Sequence, residues 1–181
     1  MRLGIMCSGN GTNFENIVRT CTDHEVVLMI YNKKQCGAKK RSEKLGIPCC
    51  HISHKDEDQM AQLMEAWRVD LIVLAGYMRV LKDPESFHCP IINVHPSLLP
   101  KFKGLNAVQQ ALESGDEVSG CTVHYVTEEL DSGEIIYQSE VPIFEDDTVD
   151  SLTKRIQREE YSILPLVIKE KVNVNRQVSG L

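Results

Sequence analysis

Leu71-Ile72-Val73-Leu74-Ala75 is an uninterrupted apolar run. Such a run is typical of a strand buried on both faces, as in a parallel sheet that helices cover on either side. On both sides of this run, short apolar segments alternate with segments of helical periodicity. This βαβα order predicts an α/β fold with a parallel, doubly wound, Rossmann-like sheet.

The other elements follow from the same periodicities. Further strands are predicted at residues 3–7, 26–30, 48–52 and 91–94, and helices at residues 12–21, 38–45 and 56–67. In the C-terminal third, two strands at residues 121–126 and 134–143 are joined by a short connection, which predicts antiparallel strands that extend the sheet. A last helix follows an N-cap at Asp147 or Thr148, and residues 172–174 are again strand-like. We expect one domain over residues 1–181.

Composition narrows the class of protein. The net charge is −6, which opposes general attraction to nucleic acid, and no apolar run is long enough to span a membrane. The N-terminus lacks the features of a signal peptide, and the seven cysteines form no C-x-x-C pair. These features predict a cytoplasmic protein with reduced thiols and small-molecule partners, either a monomer or a weak homodimer.

A glycine-containing turn follows the first strand, Ser8-Gly9-Asn10-Gly11-Thr12-Asn13. The helix that follows presents unpaired N–H groups at its positive end, which suits a phosphate. Phe14 stands where a dinucleotide fingerprint needs its third glycine, and no Gly-Lys-Ser/Thr is present for a P-loop. The turn therefore indicates either a site for a single phosphate or a plain strand-to-helix connection.

Polar residues interrupt the predicted strand at residues 91–94. Asn93 and His95 are two residues apart, so they point to the same face, at the carboxyl end where open α/β sheets bind ligands. An amide donor beside an imidazole can stabilise an oxyanion and move a proton. The alternative is a pair of polar groups satisfied locally at a strand end.

A carboxylate occupies the apolar face of the last helix. Ile156, Ile163 and Val167 form a stripe, and Glu160 falls on it, one turn after Ile156. A carboxylate that faces the core is unfavourable unless a bound amine or hydroxyl satisfies it, and Gln157 lies nearby. Alternatively, Glu160 lies at the rim and reaches water.

Metal binding is not predicted. His51 and His54 lie near Cys49 and Cys50, but no second cluster completes a tetrahedral set of ligands.

Four segments occur in an order that resembles a known family. They are Ser8-Gly9-Asn10-Gly11-Thr12-Asn13, Ala75-Gly76-Tyr77-Met78-Arg79, Asn93-Val94-His95-Pro96-Ser97-Leu98-Leu99-Pro100 and Leu130-Asp131-Ser132-Gly133. Together they resemble the phosphoribosylglycinamide formyltransferases of purine synthesis, within the folate-dependent formyltransferase superfamily. The resemblance implies a formyltransferase fold and formyl transfer from 10-formyltetrahydrofolate to the amine of 5′-phosphoribosylglycinamide.

The resemblance also implies a role for individual residues. Asn93 and a protonated His95 would contact the formyl oxygen, and Asp131 would favour the charged form of His95 and help to accept the amine proton through a water. The residues implied to bind phosphoribosylglycinamide are Gly11, Thr12, Asn13, Gln157 and Glu160. Those implied to bind the folate are Met78, Arg79, Val80 and Leu81, together with Asn93.

Two other functions remain open from the sequence. One is a formyltransferase that acts on an amino sugar nucleotide. The other is a non-catalytic module that binds a phosphorylated ligand, which would need the glycine turn but not Asn93, His95 and Asp131 together.

Overall fold

The computed structural model describes residues 1–172. Its elements run in the order β1 (Arg2–Cys7), α1 (Thr12–Thr20), β2 (Glu25–Tyr31), α2 (Gly37–Leu45), β3 (Cys49–His51), α3 (Glu57–Ala66), β4 (Leu71–Leu74), a 3₁₀ turn (Pro84–Ser86), β5 (Ile91–His95), α4 (Ala107–Ser114), β6 (Val118–Tyr125), β7 (Ile135–Pro142) and α5 (Val149–Glu170). The alternation of strands and helices predicted from the sequence is confirmed.

The strands form one sheet in the order β3-β2-β1-β4-β5-β6-β7. The first five strands pair in parallel, and β6 and β7 pair antiparallel to their neighbours. This is the predicted parallel sheet with antiparallel strands from the C-terminal third. The chain moves outward from β1 to β3 and then returns to β4, so the strand order reverses between β1 and β4. In open α/β sheets this switch point is where ligands bind.

Both faces of the sheet are covered, as the apolar run at residues 71–75 predicted. Leu71, Val73 and Ala75 belong to one buried cluster with side chains of α1 and α5, whereas Ile72 and Leu74 belong to the other with side chains of α3. Successive side chains of a strand point to opposite faces, so one short strand serves both cores.

The structure contains one helix that the sequence analysis did not predict. α4 is short, and it lies between the strands that carry residues 93 and 121. Its start at Asn106 and its end at Gly115 both have left-handed backbone, with φ of 58° and 77°. Four of its eight side chains are polar, so the apolar period is weak.

Two predictions extend beyond the described residues. The strand-like segment at residues 172–174 falls almost wholly in residues 173–181, which the structure does not describe, and the predicted single domain includes them. Within residues 1–172, no helix is long and apolar enough to cross a membrane.

Candidate active site

A cleft of about 780 Å³ opens along the carboxyl ends of the strands. It crosses the switch point between β1 and β4 and continues past the end of β5 to the β6–β7 connection. Every residue assigned a role from the sequence lines it: Gly11, Thr12, Asn13, Met78, Arg79, Val80, Leu81, Asn93, His95, Asp131, Gln157 and Glu160. The fold therefore brings residues from five separate segments into one site.

One end of the cleft, the phosphate end, is formed by the turn after β1 and the start of α1. Gly11 has φ of 73°, a left-handed conformation that glycine adopts without strain. The Glu15 N–H donates to the Gly11 carbonyl at 2.9 Å and closes the first helical turn. The N–H groups of residues 12–14 therefore have no partner within the helix, an arrangement that can bind an anion.

Helix α2 supports this turn from behind. The Ala38 N–H donates to the Gly9 carbonyl at 3.1 Å, and the Arg41 Nε donates to the Asn10 carbonyl at 2.7 Å. A second nitrogen of Arg41 donates to the Glu15 carboxylate of α1. Arg41 therefore ties the turn to the helix that follows it.

A serine joins the turn after β1 to the segment after β4. The Ser8 N–H donates to the Gly76 carbonyl at 3.1 Å, and the Ser8 hydroxyl accepts from the Met78 N–H at 2.8 Å. The segment at residues 78–81 forms an apolar wall of the cleft. Met78 and Val80 are exposed there, and Leu81 is buried.

The other end of the cleft, the catalytic end, is centred on His95. This side chain is buried, with Nδ1 3.4 Å from Oδ2 of Asp131 and Nε2 donating to the Phe102 carbonyl at 2.8 Å. Both ring nitrogens thus face an oxygen atom, one of the Asp131 carboxylate and one of the Phe102 backbone. Asp131 is also buried and accepts the Gly104 N–H at 2.8 Å.

His124 is a member of this cluster that the sequence analysis missed. Burial lowers its pKa, against the opposing effect of the Asp131 carboxylate, so the ring is neutral near pH 7. Nδ1 donates to the Tyr125 carbonyl at 2.9 Å, which leaves Nε2 to accept from the Asn93 amide nitrogen at 3.4 Å. His124 therefore orients the amide of Asn93. The second N–H of the Asn93 amide remains free to donate to an oxygen in the cleft.

The backbone around the catalytic end is strained. Phe102, Asn106 and Asp131 all have φ between 50° and 58°, a region that disfavours residues with a side chain. Phe102 and Asp131 are the two residues that hold His95. Strain of this kind persists only where surrounding contacts impose it, and it is common at functional sites.

Glu160 lies between the two ends, on α5, with only 8% of its surface exposed. Burial raises its pKa to about 7, although a hydrogen bond from the Asn13 amide nitrogen at 3.4 Å acts in the opposite direction. The amide oxygen of Asn13 is buried and accepts no hydrogen bond from the described residues. The rim position is therefore wrong for Glu160, and the buried amide oxygen of Asn13 is an acceptor without a donor among the described residues.

Residues 1–172 hold no group of three or more His, Cys, Asp or Glu side chains arranged to bind a metal ion. His51 is exposed on β3, and its ring lies 5.5 Å from that of Tyr31.

Residues 1–168 match the family model described as formyl transferase. The chain belongs to the formyl transferase family. The family resemblance and the reaction type predicted from the sequence, formyl transfer, are thereby confirmed.

Relatives of this chain include a separate enzyme and a longer, trifunctional protein. The phosphoribosylglycinamide formyltransferase of Haemophilus influenzae is 39% identical, and the alignment covers 93% of this chain and 85% of that protein. The trifunctional purine biosynthetic protein adenosine-3 of Drosophila melanogaster is 41% identical over 98% of this chain, which spans only 14% of that longer protein.

The fold agrees with this family as well. The crystal structure of phosphoribosylglycinamide formyltransferase from Anaplasma phagocytophilum superposes with a TM-score of 0.89 at 38% sequence identity, and the match covers 93% of this chain and 85% of that one. The formyltransferase fold predicted from the sequence is confirmed.

Proposed function

We propose that this formyl transferase family chain transfers the formyl group of 10-formyltetrahydrofolate to the amine of 5′-phosphoribosylglycinamide, in the synthesis of purine nucleotides. One observation carries the proposal. A single cleft has an anion site at a helix N-terminus at one end and the Asn93–His95–Asp131 cluster at the other. The printed names of the similar proteins point to the same reaction.

The acceptor is expected to lie between these two ends. Its phosphate binds the free N–H groups and the Thr12 hydroxyl at the start of α1. Its ribose hydroxyls and its amide donate to the buried Glu160 carboxylate and to the Asn13 amide oxygen, which has no hydrogen-bond partner among the described residues. Gln157, one turn before Glu160 on the same helix, contacts the same part of the acceptor. In this orientation of the acceptor, its amine lies near Asn93 and His95.

The reaction forms a bond from the amine nitrogen to the formyl carbon and breaks the bond from that carbon to the folate nitrogen. The oxygen of the tetrahedral intermediate carries negative charge, which a hydrogen bond from the free N–H of Asn93 stabilises, together with the charge of the His95 ring in its protonated form. Removing one such donor typically lowers the rate by about 10²–10³-fold. Asp131, whose carboxylate lies 3.4 Å from Nδ1 of His95, takes the amine proton through a water, and that proton ends on the folate nitrogen.

The folate occupies the wall formed by residues 78–81. The exposed side chains of Met78 and Val80 provide apolar surface, and the backbone N–H and carbonyl groups of this extended segment serve the edge of the pterin ring. Arg79 contributes the positive charge on this wall.

We also propose that the protein acts in the cytoplasm. All seven cysteines are free thiols, which is usual where the environment is reducing. Burial raises the pKa of the Cys7 and Cys89 thiols to about 12, so both stay protonated and unreactive.

The decisive experiment follows formyl transfer by folate absorbance, with 10-formyltetrahydrofolate and 5′-phosphoribosylglycinamide as substrates. We expect turnover by the wild type and a loss of at least about 10²-fold in kcat for His95→Ala. His51→Ala, an exposed histidine outside the cleft, is the matched control and should keep full activity.

Absence of turnover by the wild type would reject this acceptor, and an amino sugar nucleotide would be tested next. Turnover that His95→Ala leaves unchanged would reject the catalytic assignment. Specific binding of the acceptor without turnover would support the non-catalytic module.

A further inference from the structure

Tyr161 is a residue of the cleft to which the roles described above assign nothing. It follows Glu160 on α5 and lines the phosphate end. Its hydroxyl donates to the Thr12 hydroxyl at 2.9 Å, and its backbone carbonyl accepts from the Asn16 amide at 2.8 Å. Thr12 and Asn16 are one turn apart on α1, so Tyr161 is held at two points on one face of that helix.

The direction of the Tyr161–Thr12 hydrogen bond matters for an anion. A hydroxyl has one proton to donate and two lone pairs. A phenol is more acidic than an alcohol and is the better donor, so Tyr161 donates to Thr12, and the Thr12 proton remains available for a partner in the cleft. Thr12 is the first residue of α1, beside the free N–H groups that face the same point.

The distribution of charge in the cleft makes the Thr12 hydroxyl more important for binding a phosphate. Arg79, on the folate wall, is the only Lys or Arg residue among the described residues that line the cleft. The phosphate end therefore meets a dianion with backbone N–H groups, the Asn13 amide and the Thr12 hydroxyl. Where no Lys or Arg side chain lines the site, the orientation of each neutral donor contributes more to affinity.

We propose that Tyr161 is a positioning residue that directs the Thr12 hydroxyl proton onto the phosphate of the acceptor. The inference rests on the proposed function, which assigns the phosphate to this end of the cleft. Tyr161 acts through Thr12 and not on the reacting atoms, so its loss affects binding of the phosphorylated acceptor and leaves the chemical step unchanged.

The test is Tyr161→Phe, which removes the hydroxyl and keeps the ring and the backbone carbonyl. We expect the KM for 5′-phosphoribosylglycinamide to rise about 3- to 10-fold, with kcat and the KM for the folate within about twofold of wild type. Inorganic phosphate, used as a competitive inhibitor of the acceptor, should show the same rise in its inhibition constant. Tyr137→Phe, on β7 and outside the cleft, is the control.

A double-mutant cycle with Thr12→Val separates positioning from packing. If Tyr161 acts through Thr12, the double variant binds phosphate no more weakly than Thr12→Val alone. Effects that multiply, or an inhibition constant for phosphate that Tyr161→Phe leaves unchanged, would overturn the inference. Because these comparisons require an active wild type, failure of the proposed function shows first, as absence of turnover.

Discussion

At the phosphate end of the cleft the donors are mostly backbone N–H groups at the start of α1, whereas at the catalytic end they are side chains that hold one another. Gly11 and the geometry of the helix start create the phosphate end. The catalytic end depends on the contacts that join Asn93, His124, His95 and Asp131, with the Asp131 carboxylate 3.4 Å from His95 and 3.7 Å from His124.

This difference predicts different responses to substitution. A helix N-terminus keeps its charge and direction whatever side chains surround it, so changes there act on position and alter affinity by modest factors. A cluster of side chains loses a donor or a charge outright when one member changes. Substitutions at the catalytic end should therefore lower kcat, and those at the phosphate end should raise the KM for the acceptor.

The largest expected effect is at the catalytic end. Asp131→Asn removes the carboxylate that faces His95 and His124 but keeps the size of the side chain, so kcat should fall about 10²–10³-fold, with KM changed by less than about threefold. Steady-state kinetics measure both constants. Asp116→Asn, in a surface ion pair with Lys101, is the control. A change confined to KM would contradict the contrast between the two ends.

Glu160 lies between the two ends, and its role can be tested through the pH dependence of protein stability. The folded protein keeps the Glu160 proton up to about pH 7, because burial raises its pKa, whereas the unfolded chain releases it near pH 4.5. The folded state therefore binds more protons between these values, and its stability falls as the pH rises. Glu160→Gln should be more stable than wild type above pH 7, by the order of 3 kcal/mol.

Denaturant unfolding of the ligand-free protein at pH 5 and pH 8 measures this difference. The control is Glu170→Gln, an exposed carboxylate at the end of α5, for which the two pH values should give the same result relative to wild type. A pH-independent difference for Glu160→Gln would mean that the carboxylate is already ionised at pH 5.

A glycine of the phosphate end should give a moderate effect. Gly11→Ala adds a Cβ that meets the Ala38 backbone at 2.7 Å, at a left-handed φ, so the turn must shift. We expect a rise of about tenfold in the KM for the acceptor, with little change in kcat. Gly46→Ala is the control, because it has φ of 70° and open space around the added carbon. An equal change in KM for both variants would point to general strain.

The smallest expected effect concerns the support behind the turn. Arg41→Ala removes the hydrogen bond to the Asn10 carbonyl, so the KM for the acceptor should rise about two- to fivefold at constant kcat. Arg19→Ala is a matched control, since Arg19 binds the same Glu15 carboxylate but not the turn. Equal effects of the two variants would attribute the loss to Glu15 and not to the turn.

Several residues of the candidate site could be predicted from the sequence because each of them breaks a local pattern. Asn93 and His95 stand out because the alternation of a strand places two polar groups on one face, and Glu160 stands out because a carboxylate interrupts an apolar stripe. Gly11 is the kind of residue that a tight turn requires. In each case the signal lies within a few residues of sequence.

The remaining residues depend on contacts between distant segments. His124 lies opposite Asn93 in the antiparallel register of β5 and β6, and that register is not encoded in either strand alone. Asp131 is an ordinary turn residue by sequence and was predicted only through the family resemblance. The Phe102 carbonyl that holds His95 is a backbone group, which no residue type reveals, and the partly polar α4 lacks a clear apolar period.

Ser8 joins the turn of the phosphate end to the segment that carries the folate wall, through its N–H and its hydroxyl. The surfaces proposed to bind the two substrates are therefore not independent modules. A loop taken from a related enzyme to change the acceptor would also have to form the hydrogen bonds that hold the folate wall in place. The unit to exchange in protein engineering is the pair of segments with Ser8 between them.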